Sequence, residues 1–302
     1  MKHITHNDAD LTAFGKIVDG KAIAATIRQS LKSRVKKLKE QNVIPGLAVI
    51  LVGDNPASAV YVRNKLRSCA ELGIASSKFL FPTDASPPDI LRLIEDLNAN
   101  PEVHGILVQL PLPPHFNVTD ILETISASKD VDGFHLYNVG GLVVGNTVFP
   151  PCTPYGVVKL LEHERVPIEG KNVVVVGASN IVGKPMALML MQKDATVCIC
   201  HAKTRDLAQF TILADILVVA AGYPKLILAP MVKTGAVVID VGINRLPTGQ
   251  LVGDVDFEEV RKKAALITPV PGGVGPMTVT MLLENTISAA ERKTAKADSI
   301  SI

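Results

Sequence analysis

The chain has 302 residues, 47% of them hydrophobic, and its 31 basic and 29 acidic side chains leave a formal net charge of +2. That length suits two domains with a core each, and the composition excludes a disordered or fibrous chain. Charges of both signs are scattered and no run approaches 18 apolar residues, so neither a nucleic-acid partner nor a membrane span is expected.

The opening segment, 1–12, has no apolar stretch and contains Asp8 and Asp10, which reads against a secretory or organellar leader and for a cytoplasmic protein. Ile23, Ile27, Leu31, Val35 and Leu38 recur at three and four residues and predict an amphipathic helix over 18–40, with the basic cluster 34–39 on its solvated face. A buried strand over 46–52, a turn at 53–56 and a helix over 57–72 follow. Further along come a strand at 77–81, a helix at 88–98 and a strand at 105–110 that stops at Pro111. This alternation implies a parallel sheet covered by helices.

Between 130 and 154 the pattern breaks into glycine, proline and short apolar pieces, which reads as a functional loop and interdomain boundary. The rhythm resumes with strands at 172–176, 195–200, 216–220, 236–241 and 266–268, a second, doubly wound unit. A final helix over 276–292 is expected to pack back on the first domain, and 293–302 reads as a frayed polar tail. The fold class is therefore α/β, with a catalytic domain over 16–152 and a Rossmann-type dinucleotide domain over 153–275, the active site lying between them. Cys69, Cys152, Cys198 and Cys200 form no CxxC pair and read as reduced thiols. No histidine falls in a ligand pattern, so no metal is called for, and no GxSxG turn supports a nucleophilic triad.

Chemistry concentrates first at 173–185, where a valine run leads into Gly177, Ala178, Ser179, Asn180, Ile181, Val182 and Gly183. Gly177 permits a sharp turn, Ser179 stands where a second glycine is usual, and Gly183 lets the next helix approach the sheet. The start of that helix offers backbone N–H groups to a pyrophosphate. A packing turn is the bland alternative. About 20 residues on, an acid would select NAD; the chain has His201, Lys203, Thr204 and Arg205 there, with no acid before Asp206, so positive charge favours the 2′-phosphate of NADP. Ala221 and Gly222, after the next strand, are small enough for backbone to approach the nicotinamide side.

Three more segments, read with residues 129–133, carry a resemblance: Tyr61-Val62-Arg63-Asn64-Lys65, Gln109-Leu110-Pro111-Leu112-Pro113, and the proline-glycine run 269–278, which follows Asp240-Val241-Gly242-Ile243-Asn244. Over residues 17–290 the chain resembles the bifunctional methylenetetrahydrofolate dehydrogenase/methenyltetrahydrofolate cyclohydrolase family of the FolD type. The resemblance implies oxidation of a one-carbon unit on tetrahydrofolate with NADP, hydrolysis of the methenyl product, and a homodimer. Some members carry an arginine that contacts the cofactor phosphate where this chain has Ala178, so the NADP assignment rests on the 201–205 loop.

The resemblance also implies roles. Tyr61 and Lys65, four apart on one helix face, would line the cleft over the folate bridge; alone they read as surface residues. Lys65 is the candidate proton acceptor for the attacking water, a task that needs a depressed pKa, and Gln109 would orient its amine. Asp132 would hold the pterin donors, with Asp130 as a weaker stand-in. Leu110, Pro111, Pro271, Gly272, Gly273 and Thr278 would contact folate, and Ile243 the cofactor. Ser58 reads mainly as a helix cap. Two other readings stand: an NADP dehydrogenase of small hydroxy acids resembling shikimate dehydrogenase, and a catalytically silent nucleotide-binding module.

Overall fold

In a computed structural model that describes residues 14–300, the valine- and isoleucine-rich runs form two parallel sheets. The described chain opens with a two-residue strand, β1 (Lys16–Ile17), and a helix, α1 (Gly20–Glu40). The helix starts later than its apolar spacing suggests because Asp19 caps it, accepting from Ala22 N at 3.0 Å. Next come β2 (Gly46–Val52), α2 (Pro56–Leu72), β3 (Ala75–Phe81), α3 (Pro87–Ala99), β4 (Gly105–Val108) and α4 (Val118–Thr124). The sheet order is β3-β2-β4, and central β2 is buried at every position, as a strand covered on both faces must be.

Segment 130–154 differs from the expected loop. It contains a helix, α5 (Leu136–Val144), and the first turn of another, α6 (Cys152–His163). The His135 ring accepts from Tyr137 N at 3.0 Å to start α5, and Gly145, at φ 75°, stops it. Leu136, Tyr137, Val143 and Val144 are all exposed, so α5 writes no amphipathic stripe into the sequence.

The second half runs through β5 (Asn172–Val176), α7 (Gly183–Met191), β6 (Thr196–Cys200), α8 (Ala208–Thr211), β7 (Ile216–Val219), β8 (Val237–Asp240), the hairpin strands β9 (Asn244–Arg245) and β10 (Leu251–Val252), α9 (Phe257–Arg261), β11 (Leu266–Ile267) and α10 (Val274–Ile300). Its six-stranded sheet has the order β1-β11-β8-β7-β5-β6 and is parallel throughout. Lys16 and Ile17 therefore pair with Leu266 and Ile267, on the edge of the larger sheet rather than with the smaller one.

Helix α10 does pack on the first half, as expected, but it begins at Val274 and continues to Ile300, so 293–300 is helical and not a frayed tail. Met281, Leu282, Leu283 and Ile287 share a core with Leu47, Val49 and Leu107 of the smaller sheet. One turn earlier, Val274 and Met277 share another with Val173 and Val175 of the larger sheet. Arg34 on α1 clasps the same helix, donating to both oxygens of Glu291 at 2.9 and 2.6 Å and to Ser288 at 2.8 Å. All four cysteines are free thiols. The expectation for residues 1–12 lies outside the described residues, and among these no helix is long and apolar enough to cross a membrane.

Candidate active site at the strand ends

Both sheets end, at the carboxyl termini of their strands, in the loops that the sequence marks for chemistry. From the smaller sheet, β4 runs out into Gln109, whose own N–H still bonds Ile50 O at 2.9 Å and so holds the residue to the sheet. Its side-chain Nε2 donates to Leu110 O at 2.7 Å, which turns the amide oxygen outward. That oxygen accepts from Lys65 Nζ at 3.0 Å, and Lys65 is only 8% exposed. Two residues 44 apart are thus joined as expected, because α2 lies along the sheet with Lys65 on its inner face.

Asp132 completes the group. Burial pushes its carboxyl up from the ordinary value, the Lys65 charge opposes that shift, and Asp130 adds to it. The two aspartates differ in their bonds. Asp130 accepts from Gly133 N at 3.1 Å, His135 N at 2.8 Å and Asn138 Nδ2 at 2.8 Å, so its oxygens are spent on shaping the loop. The Asp132 carboxylate lies instead against the Cys152 thiol and within the field of Lys65. Two buried residues that sequence reasoning missed fix this loop from behind: Cys152 Sγ donates to Val131 O at 3.2 Å, and Asn285 Nδ2 donates to Val131 O at 2.9 Å and Pro150 O at 3.1 Å. Nothing local flags Asn285, which sits in the middle of α10.

Tyr61 lies one turn before Lys65 and is half-buried; burial raises its phenol pKa, against the opposing charge of Arg245. Arg245 belongs to the β9–β10 hairpin of the larger sheet's half, so a charge from that half is felt at Tyr61. Ser58 is not the cap: Asn55 is, its side chain accepting from Ser58 N at 3.2 Å. Leu110 and Pro111, joined by a cis peptide, continue from Gln109. Across the cleft Pro271, also cis, leads into Gly272 at φ 113° and Gly273. A Cβ on Gly20 would fall 1.9 Å from Gly273 O, so α1 presses directly on this run. The Thr278 hydroxyl lies one turn into α10 and bonds Thr153 at 3.1 Å, joining α10 to α6.

The glycine turn has the shape of a cradle. Gly177 adopts φ 123°, and a Cβ on Gly183 would sit 1.9 Å from Gly177 O, so strand end and helix start touch backbone to backbone. Ser179 Oγ accepts from Val182 N at 3.1 Å and Gly183 N at 3.4 Å, which explains a serine at the second position; Ala178, Ile181 and Val182 complete the turn. After β6, Thr204 N bonds His201 O at 2.8 Å, His201 N bonds Thr204 Oγ1 at 3.0 Å, and Lys203 N bonds the His201 ring at 3.1 Å. This closed turn leaves the Lys203 and Arg205 side chains exposed, and neither enters an ion pair among the described residues. Such an arrangement suits a dinucleotide with a 2′-phosphate. Ala221 and Gly222 lie exposed after β7, and Ile243 is 45% exposed just before the hairpin.

The family model described as the tetrahydrofolate dehydrogenase/cyclohydrolase catalytic domain matches residues 18–132, and the one described as the NAD(P)-binding domain of the same family matches 151–294. The bifunctional protein FolD of Nitrosospira multiformis is 60% identical over 281 residues, covering 93% of this chain and 98% of that protein. Among solved structures, the bifunctional enzyme FolD of Campylobacter jejuni is 54% identical, with TM-score 0.90 over 92% of this chain and 99% of its own. The Trypanosoma brucei methylenetetrahydrofolate dehydrogenase-cyclohydrolase, complexed with NADP cofactor and an inhibitor, is 39% identical, with TM-score 0.90 over 93% of this chain and 99% of its own.

Proposed function

Since the chain belongs to the tetrahydrofolate dehydrogenase/cyclohydrolase family, we propose that Lys65, Gln109, Tyr61 and Asp132 carry out both of its reactions at one site. The protein oxidises 5,10-methylenetetrahydrofolate to the 5,10-methenyl form with NADP and then hydrolyses it to 10-formyltetrahydrofolate. It is an oxidoreductase and a hydrolase of folate one-carbon metabolism. The observation that carries the residue assignment is the buried Lys65–Gln109 bond with Asp132 beside it.

NADP, when bound, supplies the hydride acceptor. Gly177, Ala178, Ser179, Ile181, Val182 and Gly183 would hold its pyrophosphate, His201, Lys203 and Thr204 its 2′-phosphate end, and Ala221, Gly222 and Ile243 the nicotinamide side. Asp132 takes paired N–H donors of the pterin and so fixes the folate ring, with Leu110, Pro111, Pro271, Gly272 and Gly273 as its walls and Thr278 behind them. For the first step the side chains mainly orient the methylene carbon and keep water away. For the second, Gln109 aims the Lys65 amine, which takes a proton from the water that attacks the methenyl carbon. The C–N5 bond then breaks, N5 receives a proton, and the formyl group stays on N10. Tyr61 covers the bridge during both steps.

We also divide the chain at residue 152 into folate and cofactor domains, and read the protein as a cytoplasmic homodimer. Val143 and Val144 at the end of α5 and Met191 at the end of α7 are 68%, 76% and 53% exposed, and Gln192 Nε2 donates to Leu142 O between the two helices, an apolar surface that supports self-association. Light scattering tests the dimer. For the chemistry, purified protein is mixed with methylenetetrahydrofolate and NADP and followed at the methenyl absorbance. Appearance and decay of that band are expected, and Lys65→Met should abolish the decay and slow the appearance. A full hydrolytic rate in that variant overturns the role of Lys65. Turnover of a small hydroxy acid, or binding without turnover, would favour the other two readings, against which family membership already weighs.

A further inference from the structure

Behind the nicotinamide-side loop lie two buried carboxylates that the chemistry above does not use. Asp254 is fully buried. Its Oδ2 accepts from Ala221 N at 2.7 Å and Gly222 N at 2.8 Å, and its Oδ1 accepts from Asn244 Nδ2 at 2.8 Å. One side chain therefore ties the loop after β7 to the hairpin that carries Arg245. Asp240 in turn holds Asp254: its oxygens accept from Asp254 N, Val255 N and Gly242 N, each at 3.0 Å. Two glycines make room for the pair. A Cβ on Gly242 would lie 2.2 Å from Asp254 Oδ1, and one on Gly253 would lie 1.9 Å from Asp240 Oδ2.

We infer that Asp254 is a positioning residue for hydride transfer: its carboxylate sets the Ala221–Gly222 backbone against the nicotinamide and locks that loop to the cleft-side hairpin as one unit. The inference rests on the cofactor assignment made above. An apolar side chain in the same place would leave two backbone N–H groups and an amide without acceptors, and the loop would relax toward water. Lys65, Gln109 and Asp132 hang from other elements, so hydrolysis depends on Asp254 far less than hydride transfer does.

Two variants test this: D254A and D254N. D254N keeps one oxygen for Ala221 and Gly222, and once the Asn244 amide turns over so that its oxygen accepts, the tie to the hairpin is kept as well; only the negative charge of the acceptor is lost. Hydrogen exchange at the Ala221 and Gly222 amides, calorimetric NADP binding, and the ratio of dehydrogenase to cyclohydrolase rates are measured on each. In D254A both amides should exchange at least about tenfold faster. A loop displaced by about 1 Å should lower the rate ratio on the order of a hundredfold. D254N should fall between. Unchanged amide protection and ratio in D254A overturn the inference, and so does a parallel loss of both activities. If D254A does not fold, D254N decides, and amide exchange and a rate ratio equal to the native values then overturn the inference. A native protein that lacks dehydrogenase activity refutes the proposed function instead, and the amide exchange still reports on Asp254.

Discussion

Gly183→Ala puts the cofactor cradle under a load that can be read from the backbone. The added methyl would lie 1.9 Å from Gly177 O and 2.6 Å from Gly177 C, both main-chain atoms that cannot rotate aside. Ordinary contact requires the two segments to part by about 1.5 Å. Helix α7 cannot give way cheaply, because Met186, Ala187 and Leu190 anchor it in the core under the larger sheet. The 177–182 turn must move instead. Overpacking of this kind costs about 1–3 kcal/mol of stability, which a protein of this size survives. A cradle shifted by more than 1 Å should lower dehydrogenase kcat/KM on the order of a hundredfold through NADP binding. Cyclohydrolase activity, assayed on methenyltetrahydrofolate without cofactor, should fall far less. Initial rates for the two half-reactions and calorimetric titration with NADP give the answer. An NADP affinity within about twofold of the native value, in a variant that still folds, would refute the claim that this backbone contact shapes the site.

His104 gives a stability prediction with a definite sign. Burial, then the charges of Lys293 and Lys129, lower its pKa to about 4, so the folded chain holds it neutral while the unfolded chain protonates it below about 6.5. Stability should be complete above that value and fall as pH drops from 6.5 toward 4, by at most about 2 kcal/mol after allowing for solvent screening. His104→Gln, which keeps an acceptor for Gly46 N, should flatten this slope in urea titrations, and an unchanged slope would assign it elsewhere. Asp132→Asn should raise KM for folate about tenfold or more, with little change in NADP affinity; a rise in the NADP constant alone would place Asp132 wrongly. Arg34→Met should lower stability by about 1 kcal/mol, read from the denaturation midpoint, because it frees Glu291 and Ser288 on α10. An unchanged midpoint would mean that the clasp contributes nothing.

Most of the strands were written in local pattern, though not their order in the sheets. Fully buried strands such as Gly46–Val52 and Asn172–Val176 are continuous apolar runs bounded by turn residues, and they stand out in any reading of the chain. The pairing of Lys65 with Gln109 was foreseen through the family motifs, since helical spacing alone made Lys65 look like a surface residue. What escaped depends on partners far along the chain. Helix α5 leaves four of its apolar side chains exposed, β1 is two residues paired with the distant β11, and Asp254 looks like one more acid in a polar turn until Ala221, Gly222 and Asn244 are brought to it. Nor could the sequence show that Asp130 spends its oxygens on Gly133, His135 and Asn138.

The placement of α10 bears on how the molecule is made. Met281, Leu282, Leu283 and Ile287 fill the core beneath β2, although more than two hundred residues separate them from that strand in the chain. During synthesis the half that carries β2 therefore emerges with an open greasy trough, and more than two hundred further residues must be made before the plug arrives. A nascent chain of this kind leans on chaperones for longer than one whose domains close in the order they are translated.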